Sequence, residues 1–407
     1  MKAILLDGSQ ANDGMGRRMS AALSQELQAR GWEAETIVLR DQKIGNCAGD
    51  FFCWVRNPGM CNVNDDNRKI AEQIVNSDLM VYLTPITFGG YSAALKRMVD
   101  HQIQNIAPFF AKIDGETHHA PRYTSYPDFL AIGWQTEPDA KAEALFEQLT
   151  RRNAINFYAK NALSAVVSAS QTDEEIQTAL KGWLGQIQAG CGLQTAKSPV
   201  PANPVVNQVS ASAVPIRRAV LLVGSPRTQK STSHSLGGFL FAGLESRSIQ
   251  TETIYLHTIL KSKEKMQALF AALERADLVL LAFPLYVDSL PAPVIEVLER
   301  IALERQGRVT GQLFAAIANS GFPEAQHNAT ALAICETFAR QTGFTWAGSL
   351  ALGAGEGMVH GEPLAEMDGR VTALRQALNL AAEALANGNA IPAVSPSTKA
   401  IPRKTNW

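Results

Sequence analysis

One local pattern occurs twice in these 407 residues, and it constrains the fold more than any other feature. A short apolar run (Ala3 to Leu6; Ala219 to Val223) leads into a Gly-Ser pair (Gly8-Ser9; Gly224-Ser225) and then into a stretch with helical spacing of its apolar residues. Further on, Asp78-Leu-Met-Val-Tyr-Leu-Thr-Pro85 matches Asp277-Leu-Val-Leu-Leu-Ala-Phe-Pro284, so the third strand of each copy is predicted to end at a proline. The Gly-Ser pairs stand 216 positions apart, the prolines 199, and the next apolar runs (Phe129 to Gly133; Phe314 to Ala318) 185. The first copy therefore carries two insertions, 17 residues on a cysteine-bearing stretch and 14 within 105–126.

Each copy continues with a helix (138–153; 325–342), a strand (Leu163 to Ala169; Trp346 to Leu352) and a last helix (173–187; 364–386). Strands that alternate with helices and read as near-continuous Val/Ile/Leu runs indicate a parallel sheet covered on both faces. The expected fold is α/β: two flavodoxin-like doubly wound five-stranded parallel sheets in tandem, each in the order 2-1-3-4-5. The expected domains are 1–190 and 217–390, joined by a linker at 191–216 with four prolines and no periodicity, and followed by a tail at 391–407.

Thirty-seven Lys and Arg against thirty-eight Asp and Glu leave a net charge of −1, with no basic excess to hold nucleic acid or an anionic membrane. No run approaches the ~18 apolar residues of a membrane-spanning helix. The N-terminus reaches Asp7 after too few apolar residues for a signal peptide. Five cysteines, an odd and sparse set, suit reduced thiols, so a cytoplasmic location is expected.

In a doubly wound sheet, ligands bind beyond the carboxyl ends of the strands, where the strand order reverses. In the second copy the loop after strand one runs Gly224-Ser225-Pro226-Arg227-Thr228-Gln229-Lys230-Ser231-Thr232-Ser233. It offers hydroxyls and two cations at a helix N-terminus, whose free amides attract an anion. The Ser/Thr cluster could equally be a helix cap, but its place after strand one favours the anion. With neither a G-x-x-x-x-G-K-[ST] nor a G-x-G-x-x-G spacing, a monophosphate is the expected ligand. The first-copy loop keeps Ser9 and places Arg17 nearby, yet carries an acid, Asp13, and is the weaker cradle. The loops after strand three, Pro85-Ile-Thr87-Phe88-Gly89-Gly90 and Pro284-Leu285-Tyr286-Val287-Asp288-Ser289, bring an aromatic, amides and hydroxyls to the same crevice. Together the two loops suit a flat aromatic cofactor with a phosphate tail.

The sequence resembles the flavodoxin-like NAD(P)H-dependent FMN reductases, on G-S-P-R-x-x-x-S-T-S at 224–233, F-P-L-Y at 283–286, and T-P-I-T-F-G-G-Y-S-x-x-L-K-x-x-x-D at 84–100. The resemblance implies that Ser225, Arg227, Ser231 and Ser233 hold the FMN phosphate. It implies further that Pro284, Leu285, Tyr286 and Val287, with Asn319 and Gly321, line the isoalloxazine. In the first half Ser9, Arg17, Pro85, Thr87, Phe88 and Gly89 match those places, but without the Pro-Arg that follows Gly-Ser. The expected function is an FMN-dependent NAD(P)H oxidoreductase passing electrons to flavin, a quinone or a similar small acceptor. The alternative is a flavodoxin-like electron-transfer protein that docks a redox partner and lacks NAD(P)H turnover, its first half a flavin-free pseudo-domain. Because a flavin carries the hydride chemistry itself, no catalytic acid or base is named. The tandem copies suit a homodimer or an internal pseudo-dimer.

Cys47-x2-Asp50-x2-Cys53-x7-Cys61 resembles the compact ligand run of iron-sulfur flavoproteins with its second cysteine replaced by Asp50. A [4Fe–4S] cluster wants four thiolates and zinc four N/S ligands. The reading is a loop that has lost its metal and packs through Phe51, Phe52 and Trp54. The second insertion, with His118, His119, Arg122 and Tyr123, reads as a long loop serving as an interface arm with solvated histidines. Cys191 and Cys335 read as inert.

Overall fold

The computed structural model describes residues 1–190, 216–306 and 308–392. Nearly all of the expected linker, with Cys191, and most of the tail lie outside the described residues. The chain divides into two compact units, and the segment Tyr286–Arg300 belongs to the first.

In the first unit the elements run β1 (Lys2–Asp7), α1 (Gly14–Ala29), β2 (Glu33–Val38), α2 (Phe52–Val55), α3 (Asp66–Val75), β3 (Leu79–Pro85), α4 (Ala93–His101), β4 (Ile106–Ile113), β5 (Glu116–Pro121), β6 (Asp128–Gln135), α5 (Ala140–Asn156), β7 (Ala162–Ser168) and α6 (Asp173–Ala189). The sheet order is β2-β1-β3-β6-β7, all parallel. β1, β3 and β6 are buried on both faces, which is why they read as continuous apolar runs. Helix starts follow the caps: Asp13 accepts two amides of α1, Asp139 two of α5, and Thr172 with Glu175 forms a capping box on α6.

In the second unit follow β8 (Arg218–Val223), α7 (Thr232–Glu245), β9 (Gln250–Tyr255), α8 (Leu256–Ile259), α9 (Lys263–Arg275) and β10 (Leu278–Pro284). α10 (Ala292–Arg305) then begins in the first unit, and the second resumes with β11 (Leu313–Asn319), α11 (Ala329–Gln341), β12 (Thr345–Leu352), α12 (Gly355–Met358) and α13 (Thr372–Ala386). Its parallel sheet is ordered β9-β8-β10-β11-β12, so both sheets take the expected 2-1-3-4-5 order. Leu221, Leu280 and Ile317 of its central strands pack with Leu240 and Leu378 in one core. Fully burying one such side chain contributes roughly 1.5–3 kcal/mol.

Three expectations need correction. The second insertion is an antiparallel hairpin, β4 paired with β5 around Asp114-Gly115, both at positive φ. That is the backbone a two-residue I′ turn requires. Its histidines are not solvated: His118 is 2% exposed, its Nδ1 2.8 Å from Asn156 Oδ1, and burial pushes His119 down to about 4. The last helix of the second half starts at Thr372 rather than near 364; Leu364 and Met367 are buried, but on irregular chain. At the tail, Ile391 is pinned by its amide to the Ala347 carbonyl, 2.8 Å away.

Within the first unit, α4 and the opening turns of α10 cap one another. Asp100 Oδ2 accepts the Ala292 amide at 2.9 Å, and Glu299 Oε1 accepts the Ala93 amide at 3.0 Å. Arg97 meets Glu296 at 2.8 Å. These are equivalent positions at the 199-residue offset, so each contact is made with exchanged partners. The chemistry differs on the two sides. Asp100 pairs with fully buried Lys96, whose ammonium also donates to the Tyr286 carbonyl at 2.9 Å. The position equivalent to Lys96 is Ile295. Glu299 has no such lysine, and burial, with Glu296 adding, pushes its carboxyl from 4.5 up to about 7.

An acid whose pKa rises on folding binds its proton more tightly in the native state, so its contribution is fullest below 4.5 and is lost as pH climbs through 7. Compared with Glu299→Gln, the native protein should lose on the order of 1–3 kcal/mol across that interval, read from paired urea midpoints. A wild-type minus variant difference that stays flat would contradict this.

Candidate functional site

In the second unit the Gly-Ser turn leaves β8 with the Gly224 amide on the Ala282 carbonyl at 2.8 Å. Ser225 Oγ accepts the Arg227 amide at 3.3 Å, folding the loop back on itself. Ser231 caps α7, accepting the His234 amide at 3.1 Å and donating to the Thr228 carbonyl at 2.6 Å. Thr232 and Ser233, which open α7, are buried, and the first amides of a helix have no partner within it. Asn319, at the end of β11, ties the loop to the sheet. Its Nδ2 donates to Ser233 Oγ and to the Phe283 carbonyl, both at 3.0 Å, and its carbonyl accepts the Leu285 amide at 2.7 Å. Pro284 pairs with Asn319 across the strands.

The Arg227 guanidinium is ion-paired with Glu356, which also accepts from Thr232 Oγ1 at 3.4 Å and meets His360 at 3.1 Å. Glu356 was not singled out in the sequence; its signal is the Gly353-Ala-Gly-Glu-Gly357 run after β12. Gly361, at φ +77, passes so close to the Lys230 carbonyl that a Cβ would lie 2.4 Å from it. Cβ atoms on Gly321 and Gly357 would meet nothing within 4 Å.

Tyr286 and Val287 open the segment that belongs to the first unit. Tyr286 and Ser289 exchange backbone hydrogen bonds across a two-residue turn with Val287 and Asp288 at φ 46° and 57°. Two adjacent non-glycine residues at positive φ need external support. Arg152 Nε binds Asp288 Oδ1 at 2.8 Å, Asn156 donates to the other oxygen, and Asn153 Nδ2 reaches the Val287 carbonyl at 3.3 Å. A Cβ on Gly49 would strike the Tyr286 hydroxyl, so this ring lies on the cysteine stretch.

The first-half counterparts are taken up by the protein itself. Ser9 is fully buried, its Oγ accepting Arg40 Nη1 at 2.9 Å, and a Cβ on Gly16 would lie 2.3 Å from Ser9 Cβ. Asp13 occupies the anion position of α1: Oδ1 takes the Met15 and Gly16 amides and Oδ2 the Trp134 indole N–H at 3.0 Å. Arg17 turns to the Ala11 carbonyl. Pro85 ends β3, Thr87 lies 3.5 Å from Glu299, and Phe88 and Gly89 form the positive-φ turn equivalent to Val287 and Asp288.

A sequence profile described as NADPH-dependent FMN reductase matches residues 1–115 and again 217–342. The chain belongs to that family. Its two halves carry flavodoxin-like five-stranded parallel sheets in tandem. Among curated relatives, an iron-sulfur flavoprotein of Methanocaldococcus jannaschii is 30% identical over 100 residues, 25% of this chain and 51% of that one. One from Archaeoglobus fulgidus is 31% identical over 100 residues, 25% and 48% of the two chains. The chain thus spans about half the length of these relatives. Among solved structures, an NAD(P)H:quinone oxidoreductase from Methanothermobacter marburgensis aligns at TM-score 0.29 and 16% identity, over 42% of this chain and 98% of that one. An FMN-dependent NADH-azoreductase from Bacillus anthracis aligns at 0.31 and 12%, over 42% and 99%. No helix among the described residues is long and apolar enough to cross a membrane.

The donor set of the second-half loop fits a phosphate group: buried hydroxyls at a helix N-terminus and a guanidinium that holds a carboxylate. The cysteine stretch does not fit an iron-sulfur cluster. Asp50 Oδ1 accepts the Phe52 amide at 3.0 Å, and among the described residues no three His, Cys, Asp or Glu side chains converge as a metal site. Because Asn319 serves loop and sheet together, Asn319→Ala should lower stability by about 1–3 kcal/mol in a denaturant titration, the cost of orphaned buried groups. A change below a few tenths would show that the tie is dispensable.

Proposed function

We propose that this chain is an NAD(P)H oxidoreductase that uses a single FMN, held by the second half, to reduce a quinone, free flavin or a similar small acceptor. The observation that carries this reading is the contrast between two equivalent loops. One presents Arg227 with buried hydroxyls at a helix N-terminus, and the other has placed its own Asp13 carboxylate there. A bound phosphate would meet a guanidinium at the second-half loop and an acid, Asp13, at the first-half loop.

FMN, when bound, supplies the transfer of hydride from a nicotinamide and of electrons to the acceptor. The chain's part is placement. Ser225, Ser231, Ser233 and Arg227 would anchor the phosphate, with Glu356 released from Arg227 as it enters. Pro284, Leu285, Asn319 and Gly321 would position the ring. Backbone amides there can donate to the polar edge of the ring and tune it.

After FMN reconstitution and desalting, the protein should retain one flavin per chain, and NADPH or NADH should bleach its visible bands anaerobically. Arg227→Ala should weaken FMN binding about 10- to 100-fold, the loss of one charge-assisted contact, while Arg17→Ala leaves it unchanged. Two flavins per chain would defeat the single-site reading, and retained flavin that neither nucleotide bleaches would make the chain an electron carrier.

A further inference from the structure

Cys47, Cys53, Cys61 and His101 line one pocket together with Asp50 and Gln104. The thiols have different surroundings. Burial and then the charge of Asp100 push Cys47 up to about 12. Burial pushes Cys53 up to about 11, with Cys61 and Asp50 adding and Arg122 opposing. Cys61 differs: its Sγ lies 3.7 Å from His101 Nδ1. The other ring nitrogen, Nε2, lies 2.9 Å from the Gly45 carbonyl, which can only accept. Nε2 therefore carries the hydrogen, and Nδ1 of the neutral ring turns its lone pair to the thiol. Burial works to raise Cys61, and Asp65 does the same, but His101 and the Val63 amide outweigh them and hold the thiol below its usual value.

A second thiol, Cys53, lines the same pocket and is raised further by Cys61. The Gly59 amide donates to the Cys53 carbonyl at 3.0 Å, and Cys61 follows two residues later, within about 7 Å of extended chain. Cys61 is held at both backbone ends, its amide by Gln104 Oε1 at 2.9 Å and its carbonyl by Arg68 Nε at 2.8 Å. A half-buried thiol beside a base, with a neighbouring thiol, is the setting of a reactive rather than a structural cysteine.

We propose that Cys61 and Cys53 form a peroxide-responsive thiol–disulfide couple, with His101 as the base that ionises Cys61. The Cys61 thiolate attacks a hydroperoxide: an S–O bond forms and the O–O bond breaks. Sulfur gives two electrons, and the departing alkoxide or hydroxide takes the proton held by His101. Cys53 then attacks the sulfenic sulfur, so that S–S forms, S–O breaks, and water leaves with the Cys53 proton. An external dithiol returns both thiols by disulfide exchange.

The test uses the full reduced chain, treated with hydrogen peroxide, blocked with iodoacetamide under denaturing conditions and mapped by peptide mass. The expected product is a Cys53–Cys61 disulfide. In Cys53→Ser, or Cys53→Ala if the serine variant does not fold, dimedone should trap a sulfenic acid on Cys61. His101→Gln should slow native-state alkylation of Cys61 at pH 7 about ten-fold and move its pH profile upward, while Cys335 is unaffected. A disulfide through Cys47, or Cys61 alkylating no faster than Cys335, would overturn the proposal. So would uptake of iron and sulfide that protects all three thiols from alkylation, because they would then be ligands.

Discussion

Helix N-termini buried away from water must have their amides met, and α4 and α10 meet each other's. Asp100 binds the Ala292 amide and Glu299 the Ala93 amide, which satisfies two orphan donors and sets each carboxylate on the positive end of a helix dipole. Much of the first unit is arranged around this exchange. Lys96, needed to offset the buried Asp100 charge, also holds the Tyr286 carbonyl. Arg152, needed to support the strained turn at Val287 and Asp288, is shared with Glu116 of the hairpin. A buried pair of this kind is costly to break from one side, because the remaining charge is left uncompensated.

The two Gly-Ser loops show how one scaffold yields two different ends. Both begin on a central strand and deliver a helix N-terminus. In the second half the cap is neutral Ser231, and the nearby Arg227 guanidinium is ion-paired with Glu356. In the first half a charged cap, Asp13, closes the same position and is locked by Trp134. The two caps thus differ in charge, Ser231 neutral and Asp13 acidic.

The sheets could be read from sequence because buried parallel strands are written as continuous apolar runs, and the Pro85 and Pro284 ends fixed the equivalence of the copies. Ser225, Ser231 and Ser233 could be placed in one loop because the turn and the helix cap are local backbone patterns. Glu356 could not, since its partner Arg227 is 129 positions away and no local pattern connects them. The hairpin at β4 and β5 was legible but misread: Asp114-Gly115 is a strong two-residue turn signal, overshadowed by the length of the insertion. The burial of His118 and His119 follows from that pairing. The capping exchange left a trace as Lys96 and Asp100 at i, i+4, but its other half lay 199 residues on, with Ile295 in place of the lysine.

Arg97 and Glu296 occupy the same position in the two copies and face one another. In an assembly of two identical chains, a position that faces its own equivalent can carry only one charge, so an arginine would meet an arginine and a glutamate a glutamate. Joined in one chain, the copies are released from that identity rule, and a self-repelling position becomes an attractive one. With both copies in one chain, either side of this helix pair can carry its own charge.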